Sequence, residues 1–452
     1  VGEASPLPAA ETRLPAIAPA VPYPIEALTP KVRQQTPAVG QRATRPDARL
    51  HGLGQTQYID DMAFPGMLHA RIKRAGIASA RIRRIDTREA EALPGVMAVL
   101  TGRDIPVNSF GPSLQDQPVL ADTRVFHAGD GVAAVAAVTE EIAAAALDRI
   151  AVEYEPLPAV LDPLEAMQPD SPKVHAPDSN VYASKVIRKG DTDKGFAASY
   201  RVFEGRFRTQ MVEHVALEPH AAIAVWDGNG RLTLYSTIGR ITLGRGDIAR
   251  TLQLPANRIR MVGTIVGGNF GGKNEITQEP VLALLARKTG RPVKGVYTRT
   301  EEFTATTTRH PIIMDYKTGV ARDGRILARQ VRLVLDGGAY CSWSETTLGK
   351  GAILAAGPYQ IENLRIEAYA VYTHKTMTGA MRGFGVPQVC FAYESQMDEI
   401  AAALGLDPLE IRLRNAFVEG SVSPTGQVLQ NVVVKETLAQ AAERFGWKEA
   451  RS

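Results

Sequence analysis

Residues 259–289 read IRMVGTIVGGNFGGKNEITQEPVLALLARKT, and this stretch decides the shape of the chain. An apolar run from Ile259 to Val266 predicts a strand. A glycine-rich turn follows, and from Thr277 to Thr289 the residues Val281, Leu282, Leu284 and Leu285 recur at helical spacing. The turn itself, Gly267-Gly268-Asn269-Phe270-Gly271-Gly272-Lys273, sets four glycines around one aromatic ring. Glycine admits dihedrals closed to other residues and leaves amide hydrogens bare, so such a loop can approach anionic or oxo groups closely. It is not a P-loop, because Lys273 is followed by Asn274 and not by a hydroxyl-bearing residue, and it lacks the dinucleotide fingerprint. A structural turn that packs a helix on a sheet fits the spacing equally well.

A second segment has the same character: Gly379-Ala380-Met381-Arg382-Gly383-Phe384-Gly385-Val386-Pro387-Gln388. Glycines on both sides of Phe384 leave its ring room to pack on a planar ligand, while Arg382 could order the loop or meet an anion. The alternative is a core position for Phe384 and a capping role for Arg382.

Outward from these loops the pattern is mixed. Strands are predicted over 68–73, 78–86, 96–100, 132–138, 150–154, 200–207, 221–226, 232–236, 316–320 and 326–335, and helices over 140–149, 242–252, 388–404, 408–415 and 434–445. The result is an α+β chain without an alternating Rossmann unit. Nine prolines between Pro6 and Pro46 make residues 1–48 an extended arm or a disordered tail. A small α+β domain is expected over 49–160, a linker over 161–190, and a larger domain over 191–452.

Composition excludes several functions. With 52 basic against 48 acidic residues and no basic block interleaved with aromatics, a nucleic-acid groove is not expected. The apolar share of 44% and the charged share of 22% suit a folded globular chain, and no stretch approaches a membrane span. Cys341 and Cys390 lie too far apart in sequence for a short CxxC site, so any iron–sulfur cluster must come from elsewhere. Their neighbours Tyr340 and Phe391 favour buried thiols, and a cytoplasmic setting is the default.

Together the two loops resemble the xanthine dehydrogenase and aldehyde oxidase family, whose large subunits hold molybdopterin. Weaker motifs follow in the family's order. Arg49–Asp61 resembles the opening of its small first domain, Glu213-His214-Val215-Ala216-Leu217-Glu218-Pro219-His220 matches its EH-x-x-x-EPH motif, and Arg309-His310-Pro311 matches its RHP motif. The resemblance implies a small a/b hammerhead-like domain followed by the first half of the molybdopterin-binding region. It implies cofactor contacts from Gly268, Phe270, Gly271, Gly272, Arg382 and Gly383. Phe270, Gly271 (through its amide) and Arg382 (through its backbone) would surround the molybdenum with no side-chain ligand. Phe384 would wall the substrate pocket, and Lys350 falls where purine-oxidising relatives carry a substrate-orienting arginine; a lysine keeps the charge but loses the planar fork. A salt-bridged surface lysine is the other reading.

Two further departures stand out. Ile238 and Gly239 occupy the place where the family often has a glutamine, and Asn274 precedes Glu275 where purine oxidisers have a glutamate directly after the loop lysine. Glu275 is then either a replacement substrate ligand or a solvent-facing residue on the first turn of the next helix.

The chemistry implied by the resemblance is insertion of water-derived oxygen at an electron-poor carbon, at a molybdenum centre with oxo and sulfido groups. Family members take their catalytic glutamate from a GxGE motif far downstream, and this sequence contains none; Glu213 and Glu218 are expected to be structural. The expectation is therefore a chain with no catalytic base of its own. A second molybdopterin-binding subunit would supply the glutamate, and a chain cut short of that motif is the competing explanation. An iron–sulfur subunit with two clusters of the 2Fe-2S type and an FAD subunit would carry electrons away. The pterin is expected in its cytosine dinucleotide form. The substrate is expected to be a small aromatic N-heterocycle, purine or nicotinate-like, with an aldehyde or aromatic acyl-thioester as runner-up; a non-catalytic pterin-holding scaffold or maturation partner is the reading from another class.

Overall fold

The structure, a computed structural model, describes residues 42–175 and 178–451. The proline-rich stretch over 1–41 lies outside the described residues. Residues up to Thr56 form a unit of their own, whose described part carries the short helix Ala48–Gly52. The second unit, from Gln57 onward, holds everything below.

Its first part supplies six strands: β1 (Leu68–Arg74), β2 (Ala80–Asp86), β3 (Val96–Thr101), β4 (Arg124–Val125), β5 (Gly131–Ala137) and β6 (Ala151–Pro156). The remainder supplies β7 (Val181–Lys189), β8 (Arg201–Arg208), β9 (Ala221–Trp226), β10 (Leu232–Ser236), β11 (Ile259–Gly263), β12 (Val293–Val296), β13 (Ile312–Val320), β14 (Ile326–Gly338) and β15 (Asn363–Tyr372). Helices pack on these sheets, so the α+β class expected from the sequence is the class observed.

The strands form three sheets, in the orders β11-β10-β9-β12-β1-β5-β3, β7-β15-β14-β13-β8 and β4-β2-β6. The small first part is not separate in its pairing. β1 runs parallel to β12, Leu68 opposite Val293, so one seven-stranded sheet crosses from the first part into the second. Next to its edge strand β3, β5 is fully buried from Val132 to Ala137, which suits a strand covered on both faces; its alanines keep that layer thin. The stretch 161–190, read from its prolines as a linker, contains the helix Pro163–Ala166 and β7, the edge strand that pairs with β15.

Two strand-to-helix connections matter for function. β11 leads through the first glycine loop to the helix Glu279–Thr289, whose Val281, Leu282 and Leu285 are fully buried in the core of the seven-stranded sheet. β15 leads through the second loop to the helix Val386–Leu404, whose Val389, Met397 and Ile400 are fully buried in the core of the five-stranded sheet. Each loop thus leaves a different sheet, and burial of the helix behind it fixes its far end.

Candidate cofactor cradle

The two loops meet. The Arg382 N–H donates to the Phe270 carbonyl at 2.8 Å. A Cβ placed on Gly271 would lie 2.7 Å from the Ala380 carbonyl oxygen, so only glycine lets the two backbones approach this far. The backbone is left-handed at Gly268 (φ 113°), Phe270 (φ 50°), Gly271 (φ 107°), Gly383 (φ 102°), Phe384 (φ 49°) and Gly385 (φ 85°). Left-handed backbone at two phenylalanines is costly, and the surrounding bonds must enforce it.

Those bonds come from the charged motifs. Lys273, 2% exposed, donates from its ammonium to the Glu218 carbonyl (2.7 Å) and carboxylate (2.9 Å), and the same carboxylate oxygen accepts the Gly267 N–H at 2.7 Å. Burial lowers the Lys273 pKa, and the Glu218 carboxylate opposes that loss. His220 faces the Glu302 carboxylate through Nδ1 (2.9 and 3.0 Å) and the Gly272 carbonyl through Nε2 (3.2 Å). Both partners are acceptors, so the ring links Glu302 to the first loop. Burial raises the Glu302 pKa, but the His220 hydrogen bonds outweigh it and leave the group below its ordinary value.

His214 spans the loops. Its Nε2 donates to the Ala380 carbonyl at 2.8 Å, and a Cβ on Gly272 would come within 2.9 Å of its Nδ1. Glu213 is 8% exposed and accepts the Val215 N–H through its carboxylate. On the far side, Arg309 donates to the Arg382 carbonyl (3.0 Å) and to Gln388 (3.2 Å). His310 is fully buried beside the Ser344 hydroxyl at 2.8 Å, and burial drops its pKa to about 3. Glu213, His214, Glu218, His220 and Arg309 therefore act as the frame of the two loops.

The Gly271 N–H, expected to face a ligand, donates to the Asn269 side-chain oxygen at 2.8 Å. The amides of Gly268, Asn269 and Phe270 have no acceptor among the described residues, so the bare hydrogens lie one step earlier in the loop. Asn269 fits because of Gly239, where a Cβ would stand 2.2 Å from the Asn269 side-chain nitrogen, so a larger residue at 239 would displace that side chain. Sequence reading missed this pairing, and its only trace was the glycine itself.

The structure brings Lys350 and Phe384 together. Lys350 lies on the helix Ser344–Leu354 with its ammonium 5.3 Å from the Phe384 ring centroid, and no carboxylate pairs with it among the described residues. Phe270, whose carbonyl accepts the Arg382 N–H, is 49% exposed. Glu275 does not face solvent. It is 7% exposed, precedes the helix Glu279–Thr289, and accepts a 2.6 Å hydrogen bond from the Ser342 hydroxyl.

Bare amides, left-handed turns and a close backbone approach fit a ligand that presents oxygen atoms to main-chain donors. No cluster of three or more His, Cys, Asp or Glu among the described residues could hold a metal ion. Both cysteines are free, Cys341 buried and Cys390 half-buried, and no described helix is long and apolar enough to cross a membrane.

Comparison with known proteins agrees with this geometry. Residues 53–158 match the model of the aldehyde oxidase and xanthine dehydrogenase a/b hammerhead domain, and residues 174–416 match that of the molybdopterin cofactor-binding domain. The chain is 38% identical to the nicotinate dehydrogenase large molybdopterin subunit of Eubacterium barkeri, covering 91% of this chain and 98% of that one. It is 33% identical to the xanthine dehydrogenase molybdenum-binding subunit of Escherichia coli O157:H7, covering 90% of this chain but 56% of the relative. Among solved structures, the aldehyde oxidoreductase from Desulfovibrio gigas superposes with a TM-score of 0.87 at 32% identity, over 90% of this chain and 46% of that one. The chain thus spans nearly the whole of one relative and about half of the others. It belongs to the aldehyde oxidase and xanthine dehydrogenase family of molybdenum-dependent oxidoreductases, as a molybdopterin-binding chain.

Proposed function

We propose that this chain is the pterin-cradling subunit of a hydroxylase that places water-derived oxygen on an aromatic N-heterocycle, purine or nicotinate-like, with the catalytic glutamate supplied by a second molybdopterin-binding subunit. The observation that carries the reading is the junction of the loops: the Arg382 N–H donates to the Phe270 carbonyl, and in the second loop the Phe384 ring lies 5.3 Å from the Lys350 ammonium. The near-complete coverage of the Eubacterium barkeri nicotinate dehydrogenase subunit supports both the substrate class and the division between subunits.

In this reading Gly268, Phe270, Gly271, Gly272, Arg382 and Gly383 hold the cofactor through main-chain contacts, and the bare amides of 268–270 meet its oxygen atoms. When bound, the molybdopterin supplies the redox chemistry that accepts two electrons from the substrate. Phe384 offers a flat face to the ring, and the Lys350 ammonium stabilises negative charge that develops on ring nitrogen or carboxylate oxygen. The pterin is in its cytosine dinucleotide form. An iron–sulfur subunit with two clusters and an FAD subunit complete the electron path, in the cytoplasm.

The test is to purify the chain with its natural partners, measure molybdenum and pterin nucleotide, and follow nicotinate and purine turnover in isotopically labelled water. The reading predicts molybdenum in the complex and label in the hydroxylated product. A complex without molybdenum would favour a non-catalytic pterin-holding scaffold or maturation partner. Turnover of aldehydes alone would move the substrate class toward that of the Desulfovibrio gigas structural relative.

A further inference from the structure

A second pair of a cation and an aromatic ring stands next to the loops, besides Lys350 on Phe384. The Arg240 guanidinium lies over the Trp343 ring, 4.4 Å from its centroid. The end of the first loop builds this pair. The Gly239 N–H donates to the Lys273 carbonyl at 2.6 Å, and the Ser342 hydroxyl donates to the Glu275 carboxyl at 2.6 Å. Lys273 and Glu275 are two residues apart, so Arg240 and Trp343, which follow Gly239 and Ser342, are delivered side by side. Trp343 is the N-cap of the helix Ser344–Leu354 and precedes Lys350 by seven residues. That spacing puts the two on one face of the helix, about 10 Å apart.

Local stability does not explain Arg240. It is the N-cap of the helix Ile241–Thr251 but makes no side-chain cap bond, and a cation there meets the positive end of the helix dipole. The residue is exposed, and no carboxylate pairs with it among the described residues. The Trp343 indole is half-buried, and its Nε1 is covered with no acceptor among the described residues, so packing holds the ring in place. The ring takes the flat face of the guanidinium. Its N–H edge stays free, and that edge is the part that grips a carboxylate with two parallel hydrogen bonds.

We propose that Arg240, stacked on Trp343, is a specificity-determining residue that binds the carboxylate of a carboxylated N-heterocycle, while Phe384 and Lys350 meet the ring. A ring against Phe384 with its carboxylate turned toward Trp343 lies along that one face of the helix Ser344–Leu354. The proposal rests on the substrate class proposed above and narrows it: the two cations favour an anionic, nicotinate-like ring over an uncharged purine.

The experiment measures calorimetric binding and KM of the purified complex for nicotinate and for the uncharged, nearly isosteric nicotinamide. Wild type is compared with Arg240→Met, Arg240→Lys and Trp343→Leu, and molybdenum and pterin are measured in each. Wild type should prefer nicotinate. Arg240→Met should raise Kd and KM for nicotinate about tenfold, the loss of a charge-assisted pair at an exposed site, and leave nicotinamide unchanged. Arg240→Lys should recover part of the loss, because the charge returns without the fork, and Trp343→Leu should weaken nicotinate about threefold. Equal changes for the two ligands in Arg240→Met, or no change for nicotinate, would overturn the proposal. Loss of molybdenum, pterin or a partner subunit from Arg240→Met would also overturn it, by placing the guanidinium on the cofactor or at an interface. A wild-type complex that binds neither ligand would sink the proposed substrate class and this proposal with it, whereas a preference for nicotinate that survives Arg240→Met would sink this proposal alone.

Discussion

The two glycine loops look alike in sequence and are held by opposite means. The loop at 267–273 is secured through side chains: Lys273 on Glu218, His220 between Glu302 and the Gly272 carbonyl, and Asn269 on the Gly271 amide. The loop at 379–385 is secured largely at its backbone, by groups from elsewhere: Phe270 accepts the Arg382 N–H, His214 donates to the Ala380 carbonyl and Arg309 to the Arg382 carbonyl. The first is a frame and the second is hung from it. Damage to the first should therefore propagate to the second, while damage to the second should stay local.

The largest expected effect comes from breaking the frame. Lys273→Met leaves the Glu218 carboxylate buried without its cation, and removing one member of a buried ion pair costs about 3–5 kcal/mol. Thermal unfolding of the purified complex should show that loss together with loss of bound molybdenum. A smaller effect is the pH dependence carried by Glu275, whose pKa burial raises from its ordinary 4.5 to about 7. The folded chain then holds this proton more tightly than the unfolded one. Stability from this group is complete below about pH 4.5 and is lost as pH rises through about 7, by at most about 3 kcal/mol. The slope of stability against pH, measured as the difference between wild type and Glu275→Gln, should fall in that window and be flat above it.

Next is Gly271→Ala, which forces a side chain into left-handed backbone and against the Ala380 carbonyl, at about 2 kcal/mol. Because the loops touch there, molybdenum content should fall further than stability does. If stability fell with molybdenum unchanged, the junction would be structural only. The smallest effect belongs to Lys350→Met. This removes a half-exposed contact with Phe384 worth about 0.5–1 kcal/mol, so KM should rise a few-fold with no change in unfolding temperature.

The α+β class and the strand-loop-helix around 267–273 were legible from the sequence because long apolar periods carried them. The helix Ser344–Leu354 was not. Its SETTLGKGAIL sequence holds two glycines and three Ser/Thr residues, poor helix formers, and it is stabilised by burial of Thr347, Leu348, Gly351 and Ala352. β15 was missed although Leu364, Ile366, Ala368 and Ala370 alternate with more exposed residues, a period-two signal left unread. β12 is four residues long and contains a buried lysine whose ammonium reaches the Asp60 carbonyl, too short and too polar for pattern reading. In the site, residue types pointed to the loops, and the motif order pointed to their frame. Which amide stays bare depends on an asparagine bonding its own loop, and the partner of Glu275 stands 67 residues away. Local sequence contains neither fact.

The central claim is that the junction of Phe270 with Arg382 cradles a molybdenum cofactor. A density map of the chain assembled with its natural partners tests it directly. The account predicts metal density in front of the amides of 268–270, flanked by Phe270 and Phe384. Metal bound at another place in the complex, or the two rings sealed into separate cores, would contradict it.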